Sequence, residues 1–173
     1  MNVRYSSYSD QLYRFAWNIC CLMFFRYSFR TMFFWRRSLL RFFGASIHQT
    51  SRVYPSAFIY NPSKLTMHAN SCMADYVCCY NVDSVTICEN VTVSQYTHIC
   101  TAGHDYRLTA FPLISKPIVF SPGTWICANC FVSPGVVTAE NTVLLPFSCL
   151  AMSTLKDSVY GGVPAKFVKK RYS

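Results

Sequence analysis

The residues best suited to chemistry gather around one tripeptide, Gly103-His104-Asp105, near the head of ICTAGHDYRLTAFPLISKPIVF (residues 99–120). An imidazole with a near-neutral pKa can take a proton from a hydroxyl, and general-base catalysis of this kind contributes roughly 10²–10⁴ in rate. Asp105 stands beside the histidine as a group that could orient it, although adjacent residues seldom face each other. Asp83 offers a second carboxylate upstream, and a turn-capping role at that point is equally open to it. Trp125 lies beyond an irregular dozen residues carrying Pro112 and Pro117. Lys166, Lys169, Lys170 and Arg171 crowd the end of the chain behind GGVPAK. Such a run is either a solvated tail or a cradle for an anionic ligand. Cys127 and Cys130 form a C-x-x-C, but no second pair with zinc-finger spacing accompanies them, so no metal is expected.

These residues need a frame, and the sequence supplies one with a period of six. From Phe120 the chain divides as FSPGTW ICANCF VSPGVV TAENTV LLPFSC LAMSTL, and upstream as MHANSC MADYVC CYNVDS, then ICENVT VSQYTH ICTAGH after a two-residue slip at Val85 and Thr86. The first position is apolar (Met67, Met73, Cys79, Ile87, Val93, Ile99, Phe120, Ile126, Val132, Leu144, Leu150) and the fifth is small or β-branched; Thr138 and Asp83 are the lapses. Six residues are too few for a helix pair and too many for simple strand alternation. They suit a β-solenoid, with one hexad on each face of a triangular prism and three hexads to a coil. His104 is then the sixth residue of its hexad, at a corner, and residues 105–117 leave the solenoid as an extruded loop.

With those motifs in hand, the chain resembles the hexapeptide-repeat acyltransferases, and among them the sugar O-acetyltransferases of the exopolysaccharide (colanic-acid) type. WRRSLLRFFGASI, NVDSVTICENVTVSQYTHICTAGHDY, LISKPIVFSPGTWICANCFVSPGVV and GGVPAKFVKKR carry the likeness, which covers nearly the whole chain. The resemblance implies a mainly β fold, a left-handed parallel β-helix over residues 47–155, preceded by a basic helical segment (1–46) and followed by a short basic tail (156–173). It implies transfer of an acetyl group from acetyl-CoA, as co-substrate, to a sugar hydroxyl in exopolysaccharide or cell-surface glycan biosynthesis. His104 matches the family's general base. Asp83, Asp105 and Trp125 fall where the acceptor binds, the Ala128 N–H falls near the thioester carbonyl, and Lys166 and Lys169 match residues that contact coenzyme A phosphates. A homotrimer with sites between subunits is implied as well.

The sequence departs from the family in two places. The glycine that commonly follows the first hexad position is His68, Ala74, Cys88, Cys127, Ser133, Ala139 or Leu145, and a Cβ on a left-handed turn costs roughly 1–2 kcal/mol. The usual Thr-Lys near the end of the last coil is Ala151-Met152. A non-catalytic solenoid scaffold is therefore the competing reading. A γ-carbonic-anhydrase-like zinc site through His68, His98 and His104 is a weaker one, because that family pairs two histidines five residues apart and His98 and His104 are six apart.

Composition limits the partners. The chain carries 16 Lys+Arg against 7 Asp+Glu, which points to an anionic one. No nucleic-acid-binding motif accompanies the charge, so a nucleic acid is not expected. Residues 12–43 place Arg26, Arg30, Arg37 and Arg41 along one helix face, with aromatic and aliphatic side chains around the rest. Such a helix suits peripheral contact with an anionic membrane, or else packs on the main domain with its arginines solvated. Its longest uncharged run is too short to span a bilayer. Ten cysteines without a signal peptide read as reduced thiols in a cytoplasmic protein, at the inner face of the membrane if the helix binds there.

Overall fold

The computed structural model describes residues 8–172 as a left-handed parallel β-helix closed at its N-terminal end by helices. The first seven residues of the expected N-terminal segment, and Ser173 of the expected tail, lie outside the described residues. The first face of the prism stacks Ser46–Ile47, Leu65–Met67, Val85–Ile87, Ile118–Phe120 and Val137–Thr138. The second stacks Arg52–Val53, Cys72–Met73, Thr92–Val93, Trp125–Ile126, Val143–Leu144 and Ser158–Gly161, and the third stacks Phe58–Ile59, Cys78–Tyr80, His98–Cys100, Phe131–Val132 and Cys149–Leu150. Five coils are complete, and Ser158–Gly161 begins a sixth on the second face.

Every apolar first-position residue from Ile47 to Leu150 is buried in one core, and the fifth positions are buried small residues such as Ser71, Val91, Thr97 and Cys130. Hexad period and prism geometry agree because only small side chains fit the narrow interior beside a corner. Thr138, the polar first position, is fully buried and satisfied: its hydroxyl accepts from the Ser121 N–H at 3.0 Å and lies 3.0 Å from the Thr124 hydroxyl.

Three sequence expectations change. The left-handed backbone falls on the fourth hexad position, not the second. Asn70, Tyr76, Asn90, Tyr96, Asn129, Asn141 and Phe147 have φ between 57° and 59°, alongside Gly123 and Gly135, and none of the glycine-replacing second positions has a positive φ. Asparagine tolerates that conformation with little strain, while Tyr76 and Tyr96 stack on each other at 5.0 Å. The expected penalty is absent at the second positions and falls instead on Tyr76, Tyr96 and Phe147, at about 1–2 kcal/mol each. The slip lies at the third corner, residues 80–84, rather than at Val85 and Thr86, which sit inside a strand; the coil before it widens at the same corner with Pro62–Lys64. The C-terminal tail is also not a free basic run. Lys166–Lys170 returns antiparallel against Ser158–Gly161, with GVPA (residues 162–165) as the connection.

The N-terminal segment is two helices, α1 (Tyr8–Cys20, continued by a π turn Cys21–Phe25) and α2 (Phe33–Phe42), rather than one long one. Of the expected arginine stripe Arg26 is exposed and Arg30 pairs with Asp75 at 2.6 Å, but Arg37 and Arg41, with Arg36, are engaged for a reason intrinsic to solenoids. In the second coil the carbonyls of Met67, Ser71, Met73 and Cys79 accept N–H groups from the first coil. The matching carbonyls of the first coil have no preceding coil to supply donors. Arg41 serves Ile47 (2.6 and 2.9 Å), Arg37 serves Ser51 (3.0 Å), Arg36 serves Val53 (2.6 Å) and the Trp17 indole serves Ile59 (2.7 Å). Arginine and tryptophan are donor-only side chains, which a ring of orphan acceptors requires. Arg36 is fully buried and also donates to the carbonyls of Phe29 and Arg30 and to the Ser28 hydroxyl.

Candidate active site

His104 owes its position to a hairpin that interrupts the third corner. Ala102–His104 pairs antiparallel with Leu113–Ser115, so the excursion starts on the near side of the histidine and re-enters the prism at Ile118. At its head the Phe111 carbonyl lies 2.7 Å from His104 Nδ1, and the two rings stack at 4.9 Å and 10°. A carbonyl only accepts, so Nδ1 carries a hydrogen and Nε2 is the ring nitrogen left to act as a base. Phe111, which the sequence reading did not single out, thus fixes the tautomer. Asp105 does not: its carboxylate is held by Arg107 through Nε at 2.8 Å and Nη2 at 2.9 Å, and this pairing lowers its pKa. This agrees with the reservation drawn from the sequence, since neighbouring side chains on an extended segment point apart.

Asp83 occupies the same corner one level back, at the foot of the hairpin. Its N–H donates to the Thr101 hydroxyl (2.9 Å), Oδ1 accepts from the Ser84 N–H (2.7 Å) and Oδ2 accepts from the Ser115 hydroxyl (3.3 Å). Turn capping and a position beside the histidine hairpin therefore coexist.

Trp125 stands elsewhere, on the outward side of the second face. Its indole donates to the Ser94 hydroxyl at 2.9 Å, and it is 47% exposed over a cleft of about 430 Å³ lined also by Asn90, Thr92, Gly123 and Arg171. Arg171 is pinned there by bonds to the carbonyls of Gly123 (2.7 Å) and Asn141 (3.2 Å). The sequence showed Arg171 only as part of a charge run. Strand pairing also draws a single row across this face: Lys169 opposite Val159, then Val143, Trp125 and Thr92. At the ordinary strand spacing, Lys169 lies roughly 14 Å from Trp125.

Lys166 joins the row because of a β-bulge. Strict alternation would turn residues three apart to opposite sides, but the register shift between Val159 and Tyr160 sets Lys166 opposite Gly161 and Lys169 opposite Val159, which share one side of their strand. Phe167 turns inward against Tyr160 instead. Ala128 sits half-buried at the corner that follows Trp125, and its N–H has no hydrogen-bond acceptor among the described residues. Equivalent N–H groups recur at other corners, so the role of this one depends on what stands opposite it.

In one chain these two groups do not meet. His104 and Asp83 mark the corner between the third and first faces, and the second face lies across the prism from that corner. The remaining histidines are engaged separately: His48 Nδ1 is 3.0 Å from the Thr50 hydroxyl, His68 Nδ1 is 3.2 Å from Glu89, and His98 packs at a tilt of 49° against Phe131 with its pKa lowered by burial. No group of three metal-ligating side chains gathers among the described residues. All ten cysteines are free, and burial raises the Cys127 thiol to about 11.

Comparison with known proteins settles the family. The chain is 33% identical over 147 residues to the Escherichia coli protein named as the colanic acid biosynthesis acetyltransferase WcaF, a match spanning 85% of this chain and 81% of that one. It belongs to the hexapeptide-repeat sugar O-acetyltransferases. No family profile matches it. Among solved structures, a hexapeptide-repeat acetyltransferase from Vibrio cholerae complexed with acetyl coenzyme A superposes with a TM-score of 0.85 at 23% identity, covering 97% of this chain and 92% of that one. A galactoside acetyltransferase in complex with coenzyme A gives 0.80 at 19% identity over 93% and 82%. At those identities the likeness concerns the fold, and this sugar O-acetyltransferase has the same architecture.

Proposed function

We propose that the protein transfers an acetyl group from acetyl-CoA to a saccharide hydroxyl, with each site built between two subunits of a cyclic homotrimer. The observation that carries this reading is the His104–Phe111 pair, which engages Nδ1 of an exposed imidazole and leaves Nε2 free at the head of a hairpin. Nε2 takes the proton of the acceptor hydroxyl as its oxygen attacks the thioester carbonyl. The negative charge developing on the carbonyl oxygen is received by the Ala128 N–H, a contribution of roughly 3–4 kcal/mol for one well-placed donor. Collapse expels the thiolate of coenzyme A, which recovers the proton from His104. No covalent enzyme intermediate is needed, because both substrates are held together.

Asp83 binds acceptor hydroxyls beside the hairpin. Asp105, committed to Arg107, acts in the acceptor pocket by stiffening the hairpin. The second face takes the thioester, with Trp125 at its acyl end and Lys166 and Lys169 reaching the phosphates. Since the base and this face lie on opposite sides of one prism, a neighbouring copy must supply one of them, and threefold closure suits a three-faced body. Ten free thiols support a reducing, cytoplasmic location, and no helix among the described residues is long and apolar enough to cross a membrane.

Calorimetric titration with coenzyme A, followed by acetyl transfer to a panel of saccharides, tests the proposal. Binding near one site per subunit and turnover lost in His104→Ala are expected. A folded protein that binds no coenzyme A would leave only the scaffold reading.

A further inference from the structure

The capping helices have a second side that the solenoid does not use. α1 turns Tyr13, Trp17 and Cys20 inward toward the first coil and leaves Leu12, Phe15 and Ile19 outward, and the π turn continues the outward face with Leu22, Met23 and Phe24. Those six side chains are between 43% and 69% exposed. On helical spacing Tyr8, Leu12, Phe15 and Ile19 fall within about 60° of arc. Trp35 of α2 extends the surface, because its indole donates to the Phe24 carbonyl at 2.9 Å. Contiguous exposure of this kind marks an interaction surface rather than scattered apolar residues.

Charge selects the occupant. From Tyr8 to Asp75 the sequence holds two acidic residues, Asp10 on α1 and Asp75, against eight Lys or Arg. Arg36, Arg37 and Arg41 are spent on first-coil carbonyls, Arg30 pairs with Asp75 at 2.6 Å, and Arg26 is exposed at the rim. A second copy of this face would meet it with charge of the same sign. An anionic lipid surface satisfies both features at once: the aliphatic and aromatic face enters the headgroup–acyl boundary, and Arg26 with the net positive charge of this end faces the phosphates.

We propose that the outward face of α1 and its π turn docks the protein on an anionic membrane. Trp17 binds α1 across the end of the solenoid, so this face points away from the prism along its axis. Resting on the trimer proposed above, cyclic symmetry would set three such faces on one end, where weak individual insertions combine. His104 stands two coils and one helix thickness further along, roughly 20 Å from the lipid surface. An acceptor saccharide carried on a lipid would be held at that height.

The test is co-sedimentation of the full chain with vesicles of phosphatidylcholine alone or mixed with phosphatidylglycerol. The wild type is compared with the triple variant Phe15→Glu, Ile19→Glu, Leu22→Glu, and with Phe147→Ser as an exposed apolar control on the far coil. Expected is binding to the phosphatidylglycerol vesicles, weakened but not abolished by salt. The triple variant should lose at least tenfold in affinity and the control should keep it. Coenzyme A titration on the same samples separates this proposal from the enzymatic one and should be unchanged in every variant. Folded, coenzyme A-binding protein that stays in the supernatant would overturn the proposal, as would equal binding by the triple variant. Conversion of a larger assembly to a smaller one by the triple variant, without vesicle binding, would assign the face to a second copy instead.

Discussion

A mixing experiment follows from the two halves of the site lying across one prism. His104→Ala removes the base at the third corner, while Trp125→Ala combined with Lys169→Ala strips the second face in its Lys169–Val159–Val143–Trp125 row. Each parent alone should be nearly inactive. When equal amounts are unfolded together and refolded, or co-expressed, subunits assort at random. An interface is intact only when the subunit giving the histidine is a second-face variant and the one giving the second face is a histidine variant. Each condition holds for half the subunits, so about one quarter of the wild-type sites should return in a cyclic trimer. A discontinuous assay of acetyl transfer to the accepting saccharide reads this directly, and mass spectrometry of the mixed assembly verifies exchange. Verified exchange with no recovery would refute the shared site, because a site wholly within one chain gives no active combination. The wild-type residues affect separate surfaces and pair with different neighbours, so a folding defect common to both parents would not produce partial recovery.

Other outcomes are equally specific. His104→Ala should lower turnover by roughly 10²–10⁴ while leaving coenzyme A affinity unchanged, because the residue acts on the acceptor proton; parallel calorimetry and kinetics separate the two. Lys166→Ala with Lys169→Ala should weaken coenzyme A about tenfold and flatten its salt dependence, as expected for exposed cations meeting phosphates. Arg36→Ala should destabilise by about 2 kcal/mol or more, since the buried Val53 carbonyl loses its donor at roughly 1–3 kcal/mol and the half-buried carbonyls of Phe29 and Arg30 each lose one as well; urea unfolding measures it, and a loss below about 1 kcal/mol would contradict the capping argument. His98 is kept neutral by burial, its folded pKa below the unfolded value of about 6.5. The unfolded chain therefore binds this proton first, and stability should fall as pH drops from about 6.5 to the folded pKa, then stay constant with respect to this group. His98→Asn should remove that part of the slope in thermal melts taken across the range.

How far the chain can be read without its structure depends on whether a feature is periodic or topological. The hexad frame was legible because Ile87, Val93 and Ile99 each repeat the same burial, and a core made of one stacked column leaves its signature in every coil. His104 was legible because its hairpin is the one long break in that frame after Met67. The arginines were not. Their type suggested an anionic partner, but three of them answer a shortage of donors at the end of a parallel solenoid, and that shortage exists only once the coils are stacked. Lys166 and Lys169 illustrate the reverse case, in which a register shift gives two residues a common side that strand alternation denies them. Asp105 and Phe111 show the limit of adjacency: the group that fixes the imidazole is seven residues away in sequence and contributes a backbone carbonyl, which no residue type could announce. The apolar face of α1 belongs to the same class. Its hydrophobicity is evident in the sequence, but only the inward turn of Trp17 separates the half that holds the solenoid from the half that remains available to a membrane.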